Sequence, residues 1–271
     1  MIDLHLHTSA SDGLLRPADL VARAARAGLA IISVTDHDTT AGLDDARAEA
    51  GARGMRLIDG IEITAVEGGR DVHVLGYFFD PRHEALRSFL EGQRSDRLRR
   101  VREIVDRLAA LGMSIDPKPL MARGLEEGRS VGRPHVASAL IAGGHVQSWE
   151  EAFDRYLGEG KPAFVPRRGA TPAEVVGVIR AAGGVASLAH PGLTGVDPLI
   201  PQLVQAGLGA LEARHSEQDE ATEARYREMA RTMGLATTGG SDFHGDHGER
   251  TSALGAPMMT EDELAALERR R

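Results

Sequence analysis

Short β-rich runs alternate with helical stretches along most of this chain, and that alternation restricts the fold more than any other feature. IDLHLH (2–7) reads as a strand, and PADLVARAARAG (17–28) as a helix with Pro17 in its first turn and Gly28 past its end. AIISVTD (30–36) is a strand, AGLDDARAEAGARG (41–54) a helix, and RLIDGIEIT (56–64) and DVHVLGYFF (71–79) are strands. The rhythm returns with a helix at 171–184, strands at 185–190 and 208–213, a helix at 217–234 and a closing run, LATTGGSD (235–242). Strands separated by helices of this kind form parallel βα units, which close into a barrel or spread into a wound sheet.

The middle of the chain breaks the pattern. From Glu84 to about Gly112, Leu86, Phe89, Leu90, Leu98, Val101, Ile104, Val105, Leu108 and Leu111 recur at helical spacing. Shorter helical candidates follow near 134–142 and 148–157, and no convincing strand stands between 80 and 162. The expectation is an α/β domain of residues 1–80 and 163–271, interrupted by a helical insertion of residues 81–162. Trp149 is expected to anchor the core of the insertion. Arg94, Arg97, Arg99, Arg100 and Arg102 on its long helix read as a solvated face, diluted by Glu91, Asp96, Glu103 and Asp106.

Composition excludes several classes. With 42% hydrophobic residues in 271, a sizeable core can form; with 4% aromatics it must be mostly aliphatic. There is no cysteine, so disulfides and thiolate metal sites are ruled out. A formal charge of −8 argues against coating extended duplex nucleic acid, which needs a broad basic face, but leaves room for a small phosphate pocket. Met1 leads directly into IDLHLH with no signal-like segment, and no stretch approaches the roughly 20 apolar residues of a membrane helix. The chain reads as cytoplasmic, with no membrane partner; its oligomeric state is left open.

The chemistry gathers at strand ends. His5, His7 and Asp12 follow the first strand, His37 the second, Glu62 lies in GIEIT, His73 in the next strand, His190 in AHP, and Asp242 and His244 in SDFH. Six of the eleven histidines belong to this set. In a parallel barrel the C-terminal strand ends converge on one face, where active sites are built. Nine oxygen and nitrogen donors without sulfur exceed the needs of one ion and suit two or three borderline divalent ions, such as Mn²⁺, Fe²⁺ or Zn²⁺. His5 and His7, two apart on a strand, project to one side and can clasp one ion together. Lys118 and Lys161, the only lysines, stand outside the set, which leaves Glu62 as the better bridge between ions.

HLHTSASDG, TDHDT, GIEIT, His73, AHPG and GGSDFH, in that order over residues 5–244, resemble the polymerase-and-histidinol-phosphatase (PHP) family of metal-dependent phosphoesterases. GRPHVASAL (132–140) and GEGKPAFVP (158–166) resemble its stand-alone nucleotide branch, which includes AMP and 3′,5′-bisphosphonucleotide phosphatases and a 5′→3′ exoribonuclease of short RNA. The resemblance implies a distorted (β/α)7 TIM-like barrel with a trinuclear site. It places His5, His7, Glu62 and Asp242 on a first metal, Glu62, His73 and His190 on a second, and Asp12, His37 and His244 on a third, with manganese favoured. It implies attack on phosphorus by a metal-bound hydroxide, with His215 a candidate to protonate the leaving group and a plain surface histidine the competing reading. Arg133, His135 and Lys161 are candidates to hold a second phosphate of a nucleotide or short oligoribonucleotide substrate. His83, His145 and His247 are read as surface residues. Two other classes compete: a phosphatase of a non-nucleotide metabolite such as histidinol phosphate, and a non-catalytic metal-binding regulatory module.

Overall fold

A computed structural model describes residues 1–126, 128–246, 254–256 and 258–271. His247 lies outside the described residues. Seven strands form one sheet in sequence order: β1 (Ile2–Leu6), β2 (Ile31–Val34), β3 (Arg56–Glu67), β4 (Arg70–Tyr77), β5 (Val185–Leu188), β6 (Ala210–His215) and β7 (Ala236–Gly240). The pairs β1–β2, β2–β3, β5–β6 and β6–β7 are parallel, as alternating strands and helices require. The sheet nearly closes on itself, because His7 donates its N–H to the Phe243 carbonyl at 3.0 Å and Asp242 its N–H to the His5 carbonyl at 2.9 Å. At Gly240 a Cβ would stand 2.4 Å from the His5 Cβ and backbone nitrogen, so only glycine lets β7 pass this close to β1.

One strand departs from the parallel expectation. β4 runs antiparallel to both β3 and β5, with Thr64 opposite His73. No helix separates β3 from β4. The Gly68–Gly69 turn, with φ of +56° and +82°, reverses the chain in two residues, and a tight hairpin permits only antiparallel pairing. His73, early in β4, therefore comes to the face where the parallel strands end.

Helices cover the outside. α1 (Pro17–Arg26) carries Pro17 at its start, buries Leu20, Val21 and Ala24, and packs beside α2 (Leu43–Ala52). The segment between β4 and β5 opens with α3 (Glu84–Ala110), followed by α4 (Lys118–Leu125), α5 (Arg133–Ala142), α6 (Trp149–Ala152) and a π-helical turn, Phe153–Leu157. Thr171 opens α7 (Pro172–Ala181) with a capping box: it accepts the Glu174 N–H while Glu174 accepts the Thr171 N–H. α8 (Pro191–Thr194), α9 (Ile200–Ala206), α10 (Glu220–Thr232) and α11 (Glu261–Glu268) complete the shell. Among the described residues no helix is long and apolar enough to cross a membrane.

Three bodies of apolar packing follow among the described residues, one of them around Leu4, Leu75 and Tyr77. Leu6, Ile32, Ile61, Val74, Val176, Ile179 and Leu211 belong to the barrel-side core. Leu98, Val101, Ile104, Leu108, Leu120, Val136, Leu140 and Leu157 form a separate cluster against which Trp149 packs. The arginine face of α3 is not the solvated one expected. Arg97 and Arg100 are buried, because the side of α3 turned toward the barrel meets the carboxylates Asp38 and Asp71. Arg99 is half-buried and pairs with Asp96 and Glu103.

Candidate metal centre

Glu62 organises the site. It lies in β3, 1% exposed, and its two oxygens divide five histidines between them. Oε2 faces His5 Nε2 at 3.4 Å, His7 Nε2 at 3.3 Å and His37 Nδ1 at 3.1 Å. Oε1 faces His73 Nδ1 at 2.8 Å and His190 Nε2 at 3.2 Å. His5 and His7 come from the end of β1 and point the same way, as alternate residues of a strand must; their Nε2 atoms stand 3.1 Å apart. Asp242 Oδ1 approaches the same pair at 3.2 and 3.0 Å. Asp12, in the loop after β1, has oxygens 3.4 Å from His244 Nε2, 3.7 Å from His37 Nε2 and 3.8 Å from His7 Nδ1. All nine residues gathered from the sequence thus meet in one cluster.

Three groups within it are tight enough to hold an ion: His5, His7, Glu62 and Asp242; His37, Glu62 and His73; and His7, Asp12, His37 and His244. The first coincides with the set implied by resemblance. In the second His37 stands where His190 was implied, with His190 adjacent on the same Glu62 oxygen; the third gains His7.

The charges fit cations. Burial raises the Asp12, Glu62 and Asp242 carboxyls, but the surrounding imidazoles outweigh it and hold all three well below their ordinary values. Burial lowers His7, yet hydrogen bonds to Asp242 and Glu62 lift it to about 10. At His37 burial wins over Glu62 and Asp12, and its pKa falls to about 3. His190 Nδ1 is buried without a hydrogen-bond partner, and His7 Nδ1, His37 Nδ1 and His73 Nδ1 face only carboxylates, out of hydrogen-bond geometry. Such atoms cost free energy unless something binds them, and a donor set of imidazole and carboxylate suits borderline divalent ions.

A family model described as the PHP domain matches residues 3–107. A 5′-3′ exoribonuclease of Haemophilus influenzae is 37% identical over 249 residues, 89% of each chain. A 3′,5′-nucleoside bisphosphate phosphatase of Chromobacterium violaceum is 35% identical over 248 residues, 90% of this chain and 87% of that one. This chain belongs to the PHP family. A crystal structure from Bifidobacterium adolescentis, provisionally described as a metal-dependent phosphoesterase, shares the PHP chain's fold with a TM-score of 0.90 and 33% identity, over 99% of this chain and 96% of that one.

Sequence reasoning missed one carboxylate of this PHP site. Glu212, fully buried in β6, accepts from His5 Nδ1 at 2.8 Å and from the His190 N–H at 2.7 Å. It fixes the proton of His5 on Nδ1 and so turns Nε2 inward as the free donor. The signal was a glutamate inside the apolar run LGALEA, which a buried strand does not tolerate without a partner. His215 is not the surface residue that was the competing reading. It is buried, its Nδ1 accepts the Glu217 N–H at 3.1 Å, and its Nε2 lies 3.3 Å from Asp242 Oδ2. His190, Asp242 and Asp38 carry φ of +28°, +52° and +53°, a backbone strain of about 1–3 kcal/mol each that the surroundings must hold.

The three residues assigned to a second phosphate separate. Arg133 Nη2 pairs with Asp71 at 3.2 Å, two residues from His73, and its guanidinium lies over Phe153 and Phe164. Asp71 also meets Arg100 at 3.3 Å and Arg167 at 3.7 Å, and Asp38 meets Arg97 at 2.5 Å and Arg167 at 3.3 Å. Four arginines therefore face two aspartates, an excess of positive charge beside the histidine cluster. His135 is differently placed: its Nδ1 accepts the Gly132 N–H at 3.2 Å, and burial, reinforced by Arg123, lowers its pKa to about 4, so it is neutral. Lys161 is exposed in the turn after Leu157, whose carbonyl accepts from Arg133 at 3.4 Å. Of the other histidines, His145 is half-buried and its Nε2 meets the Ser114 carbonyl at 3.0 Å, while His83 is half-buried before α3.

Proposed function

We propose that this PHP chain is a metal-dependent phosphoesterase that hydrolyses nucleotide phosphates: 3′,5′-bisphosphonucleotides, AMP or the 5′ ends of short oligoribonucleotides. The observation that carries the reading is Glu62, one ionised carboxylate shared among five imidazoles, with Asp12 and Asp242 on either side. The names of two relatives, an exoribonuclease and a nucleoside bisphosphate phosphatase, support the substrate class. Two to three divalent ions, Mn²⁺ first among them, would fit the three groups of donors, two of which share Glu62.

Ions bound there would lower the pKa of water to about 7 and neutralise the phosphoryl oxygens. The protein's own groups do the rest. Glu212 keeps His5 in the tautomer that binds. His215, with Nδ1 occupied by the Glu217 N–H, carries its proton on Nε2, and we assign that N–H to a hydrogen bond that stabilises charge on the leaving oxygen. Arg133, together with Arg97, Arg100 and Arg167, offers charge-assisted hydrogen bonds to a second phosphate, and we keep the exposed Lys161 as a further candidate to reach it. We assign residues 81–162 to a capping insertion over the barrel face, since its helices supply most of these arginines.

Phosphate release from AMP, 3′,5′-bisphosphoadenosine and histidinol phosphate, each with and without Mn²⁺, tests the reading. We expect metal-dependent release from the nucleotides. Release from histidinol phosphate alone would transfer the chain to the metabolite class, and no release from any substrate would leave the non-catalytic class.

A further inference from the structure

The loop that carries Asp12 is fastened from outside the barrel. Its N–H groups turn inward. Ser11 and Gly13 donate to the Thr8 carbonyl at 3.1 and 2.9 Å, Ser9 to the Leu15 carbonyl at 2.8 Å, and Leu14 to the His244 carbonyl at 2.8 Å. Three consecutive carbonyls point the other way, toward the insertion. Arg123 Nη2 donates to the Ser9 and Ser11 carbonyls, 2.5 Å from each. The Ser130 N–H donates to the Ala10 carbonyl at 3.0 Å, and Arg129 Nη1 reaches the Ser9 carbonyl at 3.5 Å. All these donors lie within residues 123–130, at the end of α4 and just beyond it.

This fastening matters because of where Asp12 stands. It is six residues beyond Leu6, where β1 ends, whereas His37, His190, Asp242 and His244 follow their strands by two to four residues. The sheet ladder fixes the others; it does not reach Asp12. A ligand must sit within about 0.2 Å of its ideal distance to hold an ion, so whatever fixes this loop sets that part of the site. Arg123 is a single cation spanning the residues on either side of Ala10, and Ser11 is the neighbour of Asp12. Ser11 Oγ ties the loop inward as well, donating to Asp36 at 2.6 Å.

We propose that Arg123 is a positioning residue for the metal centre: by holding the Ser9 and Ser11 carbonyls it sets Asp12, so that the cation site of His7, Asp12, His37 and His244 depends on the insertion while that of His5, Glu62 and Asp242, which shares only His7 with it, does not. The inference rests on the metal reading above. It makes the insertion a structural component of one ion's site, in addition to its place over the substrate.

Titration of metal-stripped, full-length wild type, Arg123→Met and Arg123→Lys with Mn²⁺ alone, followed by calorimetry, with circular dichroism to report the fold, tests it. Methionine keeps an apolar stem of similar length but no donor; lysine restores donors. We expect Arg123→Met to weaken one of the wild-type ions on the order of 10–100-fold, the usual effect of removing an outer partner, with the other ions and the fold unchanged. Arg123→Lys should recover most of the loss. Unaltered binding of every ion in Arg123→Met overturns the proposal. So does equal weakening of all ions, or global unfolding of that variant, because either makes Arg123 a general structural residue. Wild type that binds no Mn²⁺ at all overturns the metal reading itself.

Discussion

At the scale of single residues, the site is a contest between protons and cations for the same nitrogens. His7, raised to about 10 by Asp242 and Glu62, holds a proton at neutral pH whenever no cation is bound. His37, lowered to about 3, holds none. A metal ion entering beside His7 must therefore displace its proton. Because the shift is upward, the proton is fully bound below the ordinary value of 6.5 and is lost only as pH rises toward 10. Mn²⁺ affinity should accordingly tighten from pH 6 upward with net proton release, and hydrolysis should fall steeply below about pH 6. Calorimetric titrations in buffers of different ionisation enthalpy count the protons released. Zero release at pH 7, with metal bound, would contradict the assignment of His7.

At the scale of elements, the contact between α3 and the barrel is ionic where an aliphatic helix face would have been simpler. Asp38 is fully buried, and although burial raises its carboxyl, Arg97 and Arg167 hold it below 3.8. Asp38 follows His37 directly, and its Oδ1 accepts the Thr64 N–H at 2.9 Å, so the same side chain joins β2, β3 and α3. Removing one partner of such a set strands the others without compensation. Asp38→Asn should cost about 3–5 kcal/mol at pH 7, measured by urea unfolding. Since the native pKa is the lower one, the stabilisation is complete above the unfolded value of 3.8 and is lost as pH falls through the native value. The difference in stability between wild type and Asp38→Asn should therefore be constant from pH 7 to about 5 and shrink below about pH 4. A difference that persisted at pH 3 would show that the variant acts through packing.

At the scale of the whole molecule, histidines and carboxylates on the barrel face meet arginines from the insertion. Under the proposed function, a mononucleotide would use only the first, while a bisphosphonucleotide, or the first linkage of a short RNA, would use both. One charge-assisted hydrogen bond contributes roughly 1.5–3 kcal/mol, or about 10- to 150-fold at 1.4 kcal/mol per decade. The bisphosphonucleotide should exceed AMP by at least about tenfold in kcat/KM, and Arg133→Ala should cost the bisphosphonucleotide more than AMP. Equal losses on both substrates would remove Arg133 from the second-phosphate role. Long duplexes should be poor substrates, since a chain of net charge −8 offers no extended basic track.

The nine oxygen and nitrogen donors were legible in the sequence because chemistry of this kind sits at strand ends, and strand ends can be read from where an apolar run stops. The alternation of strands and helices, the helical insertion and the family motifs were legible for a similar reason: each is written within a few tens of residues. What the sequence could not give were the pairings that join distant segments. The direction of β4 depended on a two-residue glycine turn at 68–69 whose geometry carries no period. Arg97 and Arg100 lie on a helix face whose charges look solvated until Asp38 and Asp71 are brought against it. Glu212 becomes a partner of His5, 207 residues earlier in the chain, only when the barrel closes, and Arg123 reaches the Asp12 loop across more than 100 residues. Local spacing determines which groups lie at the end of a strand. Which buried charge finds which partner is decided by closure of the barrel and docking of the insertion, where a lone charge is costly and a paired one is not.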